Sequence, residues 1–374
     1  MKQPFIPYGH QWVDGQDIKA VTKVLRSDWL TQGKTVLEFE AAVADYCHAT
    51  YAVAFSSGTA ALHAAYLAAG IKKGDRVVTT PLTFAATSNM AAVLGAKPVF
   101  VDIDPVTLAI DPKKVPAAIT KKTKAIVAVD FAGHPVDYRA LSVIAKKHKL
   151  VFISDACHAL GAEYKGKKVG SFADMTVLSF HPVKHITTGE GGMVVTNSKA
   201  LYEKLKLIRN HGMVKKPADG AWYYEVAEPY FNYRLTDIQC ALGLSQLKKL
   251  PMFLKKRRAI VATYNKQLAN LPGVRLPTEK SYAKSAWHIY PVQVSAKKRR
   301  SIFEYLQSRG IGVQVHYMPL HLHPFYKKKY GYKIGDFPVA EAYYQGAITL
   351  PLYPSLRNSD FQRVVHEFKK AVSK

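Results

Sequence analysis

Cysteine is scarce, with only Cys47, Cys157 and Cys240 in 374 residues. They are far apart, odd in number and never in CxxC spacing, so neither a disulfide framework nor a thiolate zinc site is implied and no metal is expected. Long apolar runs are missing too. No stretch approaches the roughly 18 uninterrupted apolar residues of a membrane span. The opening segment MKQPFIPYGHQWVDG also lacks the apolar core of a signal peptide. A cytoplasmic protein without membrane attachment is the expectation. Acidic residues are few, 27 against 53 lysines and arginines, which leaves a formal charge of +26. Such a field attracts nucleic acid, or equally a dianionic nucleotide substrate. The basic clusters KKTK (121–124), KKRR (255–258 and 297–300) and KKK (327–329) are scattered and not interleaved with aromatics. That pattern weighs against a dedicated nucleic-acid interface.

What the chain does have is an ordinary globular composition, 48% hydrophobic and 21% charged. Its length exceeds a single hydrophobic core and predicts more than one domain. From about residue 36 to 200, short apolar segments such as YAVAFSS, DRVVTTP, KPVFVDID, KAIVAVDFAG, LVFISDA and MTVLSF alternate with helical ones such as GTAALHAAYLAAGI and YRALSVIAKKHK. This alternation predicts an α/β domain, a mostly parallel sheet between helices. RLTDIQCALGLSQLKKLPMFLKKRRAIVATYNKQL reads as a long helical stretch interrupted near Pro251. Beyond it, AWHIYPVQV and GIGVQVHYM read as strands, and SIFEYLQSR and NSDFQRVVHEFKKAVS as helices. The expected division is a large domain over 36–249 and a smaller α+β domain over 250–374.

Ligands in parallel sheets bind beyond the carboxyl ends of the strands, and three features fall there. Ser57-Gly58-Thr59 follows a strand and opens a helix. Small residues, free amides and the helix dipole suit an anion, although a plainly capped helix start has the same pattern. Asp155 ends the apolar strand LVFISD, where a carboxylate is costly unless paired. It either balances a buried cation, such as a protonated ring nitrogen, or caps a turn. His158 just downstream either supports a ligand or is held structurally. Lys184, in SFHPVKHITTGEGG, follows a strand end at Ser179. It is either a solvated charge or, if desolvated in a cleft, a neutral amine competent to form a Schiff base. Phe84, in PLTFAATSN, either stacks on a ring or belongs to the core. A phosphate cradle, an acid for a ring nitrogen and a lysine for an aldehyde together match what pyridoxal 5′-phosphate requires.

With those residues in hand, the chain resembles the DegT/DnrJ-type nucleotide-sugar aminotransferases of the pyridoxal-phosphate-dependent transferase fold type I. The likeness runs through LTQGKTVLEFE, FSSGTAALHAA, PLTFAATSN, SDACHALGAEYKGKKVGSFAD, SFHPVKHITTGEGGMVVTN, NYRLTDIQCALGLSQL, AWHIYPV and LPLYPSL. It implies Lys184 as the Schiff-base lysine and Asp155 as partner of the pyridine nitrogen. His158 is implied near the ring hydroxyl, with Ser179, Gly58 and Thr59 at the phosphate and Phe84 as the stacking aromatic. Asn232 matches an asparagine that reaches the phosphate from a second subunit, implying a homodimer with shared sites. Tyr8, Asp28, Trp29, Leu30, Thr31, Gln314, Val315, His316 and Tyr317 match sugar-nucleotide contacts, so residues 1–35 are implied to be an arm contributing to the substrate site.

SFHPVKHITTGEGG, IRNHGMVKK, RLTDIQCALGLSQLKK and GIGVQVHYMPLH are most similar to members acting in pseudaminic acid biosynthesis. The implied reaction carries an amino group from L-glutamate, through pyridoxamine 5′-phosphate, to C4 of a UDP-linked 4-keto-6-deoxy-N-acetylhexosamine. Alternatives are a bacillosamine-type UDP sugar or a dTDP sugar as acceptor, and, from another class, a basic nucleic-acid-binding protein with vestigial motifs. His185 departs from the Pro or Asn common in relatives, and Gly58 from an Ala seen in some.

Overall fold

The computed structural model describes residues 4–373. Seven strands form one sheet: β1 (Tyr51–Phe55), β2 (Arg76–Thr79), β3 (Lys97–Phe100), β4 (Thr123–Val129), β5 (Val151–Asp155), β6 (Met175–Ser179) and β7 (Gly192–Thr196). Their spatial order is β1-β7-β6-β5-β4-β2-β3. All run parallel except β7, which pairs antiparallel with both β1 and β6. Gly192 faces Phe55 in this ladder, and a Cβ there would lie 2.4 Å from the Ser57 carbonyl oxygen. The glycine at this point lets the strand after Lys184 return flush against the end of β1.

The strands are apolar on both faces because both faces are covered. Successive side chains alternate sides. Ile126 and Ala128 of β4 join one buried cluster, whereas Ala125 and Val127 join the other. The first cluster takes in α1 (Lys34–Tyr46), α2 (Tyr138–His148) and the first part of α3 (Asp237–Leu268). The second holds the Ala-rich helix Gly58–Ala68 and the helix Lys199–Arg209. A third cluster lies in the C-terminal part, where Tyr290–Gln293 pairs antiparallel with Ala347–Leu350 under the helices Ala296–Ser308 and Asn358–Ser373. Among the described residues, no helix is long and apolar enough to cross a membrane.

Two local expectations fail. α3 is continuous through Pro251 and crosses residue 250 without a break. An interior proline costs roughly 3 kcal/mol of helix stability, but Leu247, Leu250, Phe253, Leu254 and Arg257 on either side are buried, and that packing outweighs the local penalty. GIGVQVHYM is not a strand. Its backbone meets the N-terminal segment at one end, through an Ile6–Ile311 bridge, and Thr349 at the other, through Gln314. With its pairing split between two partners, no continuous ladder forms. The same Ile6 contact ties the N-terminal segment to the C-terminal part, and Leu352 donates its amide to the Tyr8 carbonyl.

Asp237, at the start of α3, is 1% exposed and accepts hydrogen bonds from the Gly33 and Thr35 amides at 2.8 and 3.0 Å. It thereby caps α1 from across the chain. Asp237→Ala strands two amides and is expected to cost about 2–3 kcal/mol, given the strength of hydrogen bonds to charged groups. Urea unfolding of the two proteins measures the difference.

Candidate active site

A cavity of about 550 Å³ opens where the parallel strands end. β1 delivers Ser57, Gly58 and Thr59 to its wall. Ser57 Oγ caps the following helix by accepting from the Ala60 amide at 3.1 Å, leaving the first-turn amides free of intrahelical partners. β6 ends at Ser179, which lies against this turn: a Cβ on Gly58 would sit 3.0 Å from Ser179 Cβ and 3.1 Å from its hydroxyl. Glycine thus keeps open a cradle made of amides and hydroxyls, suited to an anion.

β5 ends at Asp155, which is 5% exposed. Its Oδ2 accepts a 2.6 Å hydrogen bond from Thr87 Oγ1, and its Oδ1 faces the Cys157 amide at 3.3 Å. Thr87 in turn lies 2.8 Å from Thr83 Oγ1, and its carbonyl accepts from Tyr66. Phe84 begins the same helical segment with 59% of its surface exposed at the cavity, 6.0 Å from the Tyr317 ring. Lys184 lines the cavity from the turn after β6. Burial lowers the affinity of its amine for a proton, while Cys157 and Asp155 pull the other way. His158 is pushed well below the ordinary histidine range, first by burial and then by Lys184, His316 and His185. Its Nε2 meets the Tyr317 hydroxyl at 3.3 Å, and among the described residues nothing pairs its buried Nδ1.

These features fit a phosphorylated pyridine aldehyde. The cradle could take a phosphate and Lys184 the aldehyde carbon. Asp155 could face a ring nitrogen, Phe84 presents a free aromatic face, and His158 an unpartnered polar atom beside them. The profile of the DegT/DnrJ/EryC1/StrS aminotransferase family matches residues 12–369. The chain belongs to that family.

It is accordingly a pyridoxal-phosphate-dependent sugar aminotransferase. Over 95% of its length it is 45% identical to 94% of the UDP-4-amino-4,6-dideoxy-N-acetyl-beta-L-altrosamine transaminase of Campylobacter jejuni. It is 41% identical to the spore coat polysaccharide biosynthesis protein SpsC of Bacillus subtilis, with 98% of this chain and 97% of that protein covered. Among solved structures, Helicobacter pylori PseC, an aminotransferase involved in pseudoaminic acid biosynthesis, superposes with a TM-score of 0.94 at 39% identity, covering 99% of each chain. The pyridoxal-phosphate form of the sugar aminotransferase Spr1654 from Streptococcus pneumoniae superposes at 0.93 with 31% identity, again covering 99% of each. The fold is that of the pyridoxal-phosphate-dependent aminotransferases.

Within this aminotransferase the cavity brings together Gly58, Thr59, Phe84, Asp155, His158, Ser179 and Lys184, and adds Tyr8, His316 and Tyr317 from the N-terminal segment and the C-terminal part. It does not include Asn232, Asp28, Trp29, Leu30, Thr31, Gln314 or Val315. Asn232 is exposed and bridges Asn210. Trp29 and Leu30 are exposed, and Thr31 bridges Thr236. Gln314 exchanges backbone hydrogen bonds with Thr349, and Val315 packs near Phe131 and Leu320. His185 faces away from the cavity, its Nε2 3.1 Å from the Ala286 carbonyl, so it staples the lysine turn to the C-terminal part. Thr83, Thr87 and His288 line the cavity although sequence reasoning passed over them. The i, i+4 hydroxyls of Thr83 and Thr87 were a readable signal. No local spacing points to His288.

Thr87→Val keeps the shape but removes the hydroxyl that Asp155 accepts from. A hydrogen bond to a charged group of roughly 1.5–3 kcal/mol corresponds to about a 10- to 100-fold loss of turnover, and Thr87→Ser restores most of it. Steady-state amino transfer by the three proteins checks both outcomes.

Proposed function

We propose that this enzyme moves an amino group from L-glutamate to C4 of UDP-2-acetamido-2,6-dideoxy-β-L-arabino-hex-4-ulose, giving UDP-4-amino-4,6-dideoxy-N-acetyl-β-L-altrosamine. What carries the reading is one cavity that holds Lys184, Asp155 and the Ser57–Thr59 cradle, in a chain 45% identical to a transaminase named for that product. Two further relatives at 43% and 40% identity bear the same name.

When bound, pyridoxal 5′-phosphate supplies an aldehyde that carries the amino group and a protonated ring that accepts an electron pair. The protein's residues hold it and move protons. The first-turn amides, Thr59 and Ser179 take the phosphate, and Phe84 covers one ring face. Asp155, oriented by Thr87, keeps the ring nitrogen protonated. Neutral His158 offers a hydrogen bond to the ring hydroxyl without adding positive charge beside Lys184. As a free amine of lowered basicity, Lys184 would serve as the base at the donor's α-carbon in one half of the transfer and as the acid at the sugar's C4 in the other. Tyr8, His316 and Tyr317 form the sugar wall.

The same reading makes the enzyme a cytoplasmic homodimer, with Asn232 and Asp28–Thr31 serving the second copy's site. Trp222, Tyr224, Val226 and Phe231 stand exposed at 82%, 51%, 59% and 43% on and beside the hairpin Met213–Val226, which supports an apolar contact there.

Mass spectrometry of products from a panel of UDP- and dTDP-4-keto sugars with glutamate tests substrate and enzyme class together. Amination of the β-L-arabino UDP sugar is expected. Preference for a D-configured UDP sugar or a dTDP sugar refutes the assignment. Lys184→Ala is expected to lose turnover and the borohydride-reducible link to the cofactor, while still binding it noncovalently. A covalent label retained on that variant would show that another lysine carries the cofactor.

A further inference from the structure

Three buried histidines crowd the lysine: His158, His185 and His288, exposed by 5%, 3% and 4%. The His288 ring lies 4.3 Å from that of His158 and 5.6 Å from that of His185, centre to centre. Two have other engagements. His158 meets Tyr317, and His185 meets the Ala286 carbonyl. His288 alone of the three presents a ring nitrogen to the reactive amine, its Nε2 3.5 Å from Lys184 Nζ. Its Nδ1 is buried and unpaired among the described residues.

The fold goes to some length to place this ring. Arg257 of α3 is 1% exposed, and its hydrogen bonds go to backbone carbonyls rather than to a carboxylate. Its Nη1 donates to the carbonyls of Trp287, His288 and Leu352 at 3.2, 3.1 and 3.0 Å. From the other side, His288 and Ala286 donate their amides to the carbonyls of Ala132 and Gly133, in the loop after β4, at 2.9 and 3.0 Å. Trp287 between them has φ of +50°, a conformation that bulky residues rarely adopt. A segment of the C-terminal part is thus strapped across the strand ends, with the imidazole directed at the lysine.

The groups facing His288 are Lys184, His158, His185 and Arg257. Burial and these four together push His288 well below the ordinary histidine range, so it stands as a neutral imidazole. With Nε2 as acceptor, Nδ1 carries the proton. The groups facing Lys184 are Asp155 and Cys157 from the end of β5, His158 just beyond them, His185 next to the lysine in the turn, His316 from the C-terminal part and His288 from the strap.

We propose that His288 is a positioning residue for Lys184, its Nε2 taking a hydrogen bond from the lysine nitrogen whenever Lys184 is free of cofactor and holding the amine toward the reacting carbon. This rests on reading Lys184 as the cofactor-bearing lysine. Because a charged donor makes the stronger hydrogen bond, the acceptor also keeps the basicity of Lys184 from falling as far as burial alone would drive it.

The test follows capture of pyridoxal 5′-phosphate by the cofactor-free full chain as a function of pH, trapped with borohydride and assigned to Lys184 by peptide mass spectrometry. His288→Phe, which keeps the bulk and removes the acceptor, is expected to move the capture midpoint down by about one pH unit, as loss of a charge-assisted hydrogen bond implies. Its kcat is expected to fall about 10-fold or more, with KM for glutamate changed less than about threefold. His288→Gln, which retains an acceptor, is expected to recover most of both. If the Phe variant does not fold, His288→Ala with and without added imidazole makes the same comparison, rescue by imidazole being the expected result. A midpoint that stays at the wild-type value, a Gln variant as impaired as Phe, or no rescue of Ala overturns the proposal. Wild-type protein unlabelled at Lys184 would instead refute the functional reading itself.

Discussion

A carboxylate buried at the end of an apolar strand is the constraint around which this site is arranged. Asp155 is tolerable there because Thr87 and the Cys157 amide donate to it and because it borders the cavity rather than the closed core. Thr87 depends on the helix that starts at Ala85, and that helix depends on packing against the one that begins at Gly58. The helix that frames the anion cradle therefore also supports the hydroxyl that orients the acid. The anion cradle and the buried acid are thus supported by neighbouring pieces of one packed layer.

Desolvation does two jobs in the same volume. It makes Lys184 less basic, and it holds His158, His288 and His316 neutral, the last pushed down to about 3. Protonated imidazoles would repel the lysine's own cation and bring several positive charges into one low-dielectric space. As neutral rings they act as hydrogen-bond partners around a single titrating amine. The carboxylate and the thiol beside Lys184 oppose the effect of burial, so its proton affinity is set by balance rather than by burial alone.

Much of this was legible from local pattern. A strand buried on both faces is a short apolar run, and the turn residues after it are the ones that reach the cavity. Ser57, Gly58, Asp155, Ser179 and Lys184 could therefore be singled out from their positions at strand ends. Other elements depend on contacts across the fold that local pattern does not encode. The continuity of α3 through Pro251 is decided by buried neighbours on either side. The irregular path of GIGVQVHYM is decided by Ile6 and Thr349, far away in the chain. His288 is separated from Lys184 by a hundred residues and by the whole of α3, so only the closed fold puts their nitrogens in reach.

That last separation bears on why the C-terminal part belongs to the site at all. The sheet alone could present a cradle, an acid and a lysine, since all three arise from strand ends. Tyr8, His288, His316 and Tyr317 arrive from outside the sheet. α3 anchors both parts: its first turn caps α1 through Asp237, and its Arg257 grips the carbonyls of Trp287 and His288. A helix running without a hinge between those points converts the packing of the sheet into the placement of an imidazole beside the amine. The buried packing that lets the helix absorb its internal proline therefore also keeps the lysine coupled to the residues that surround it.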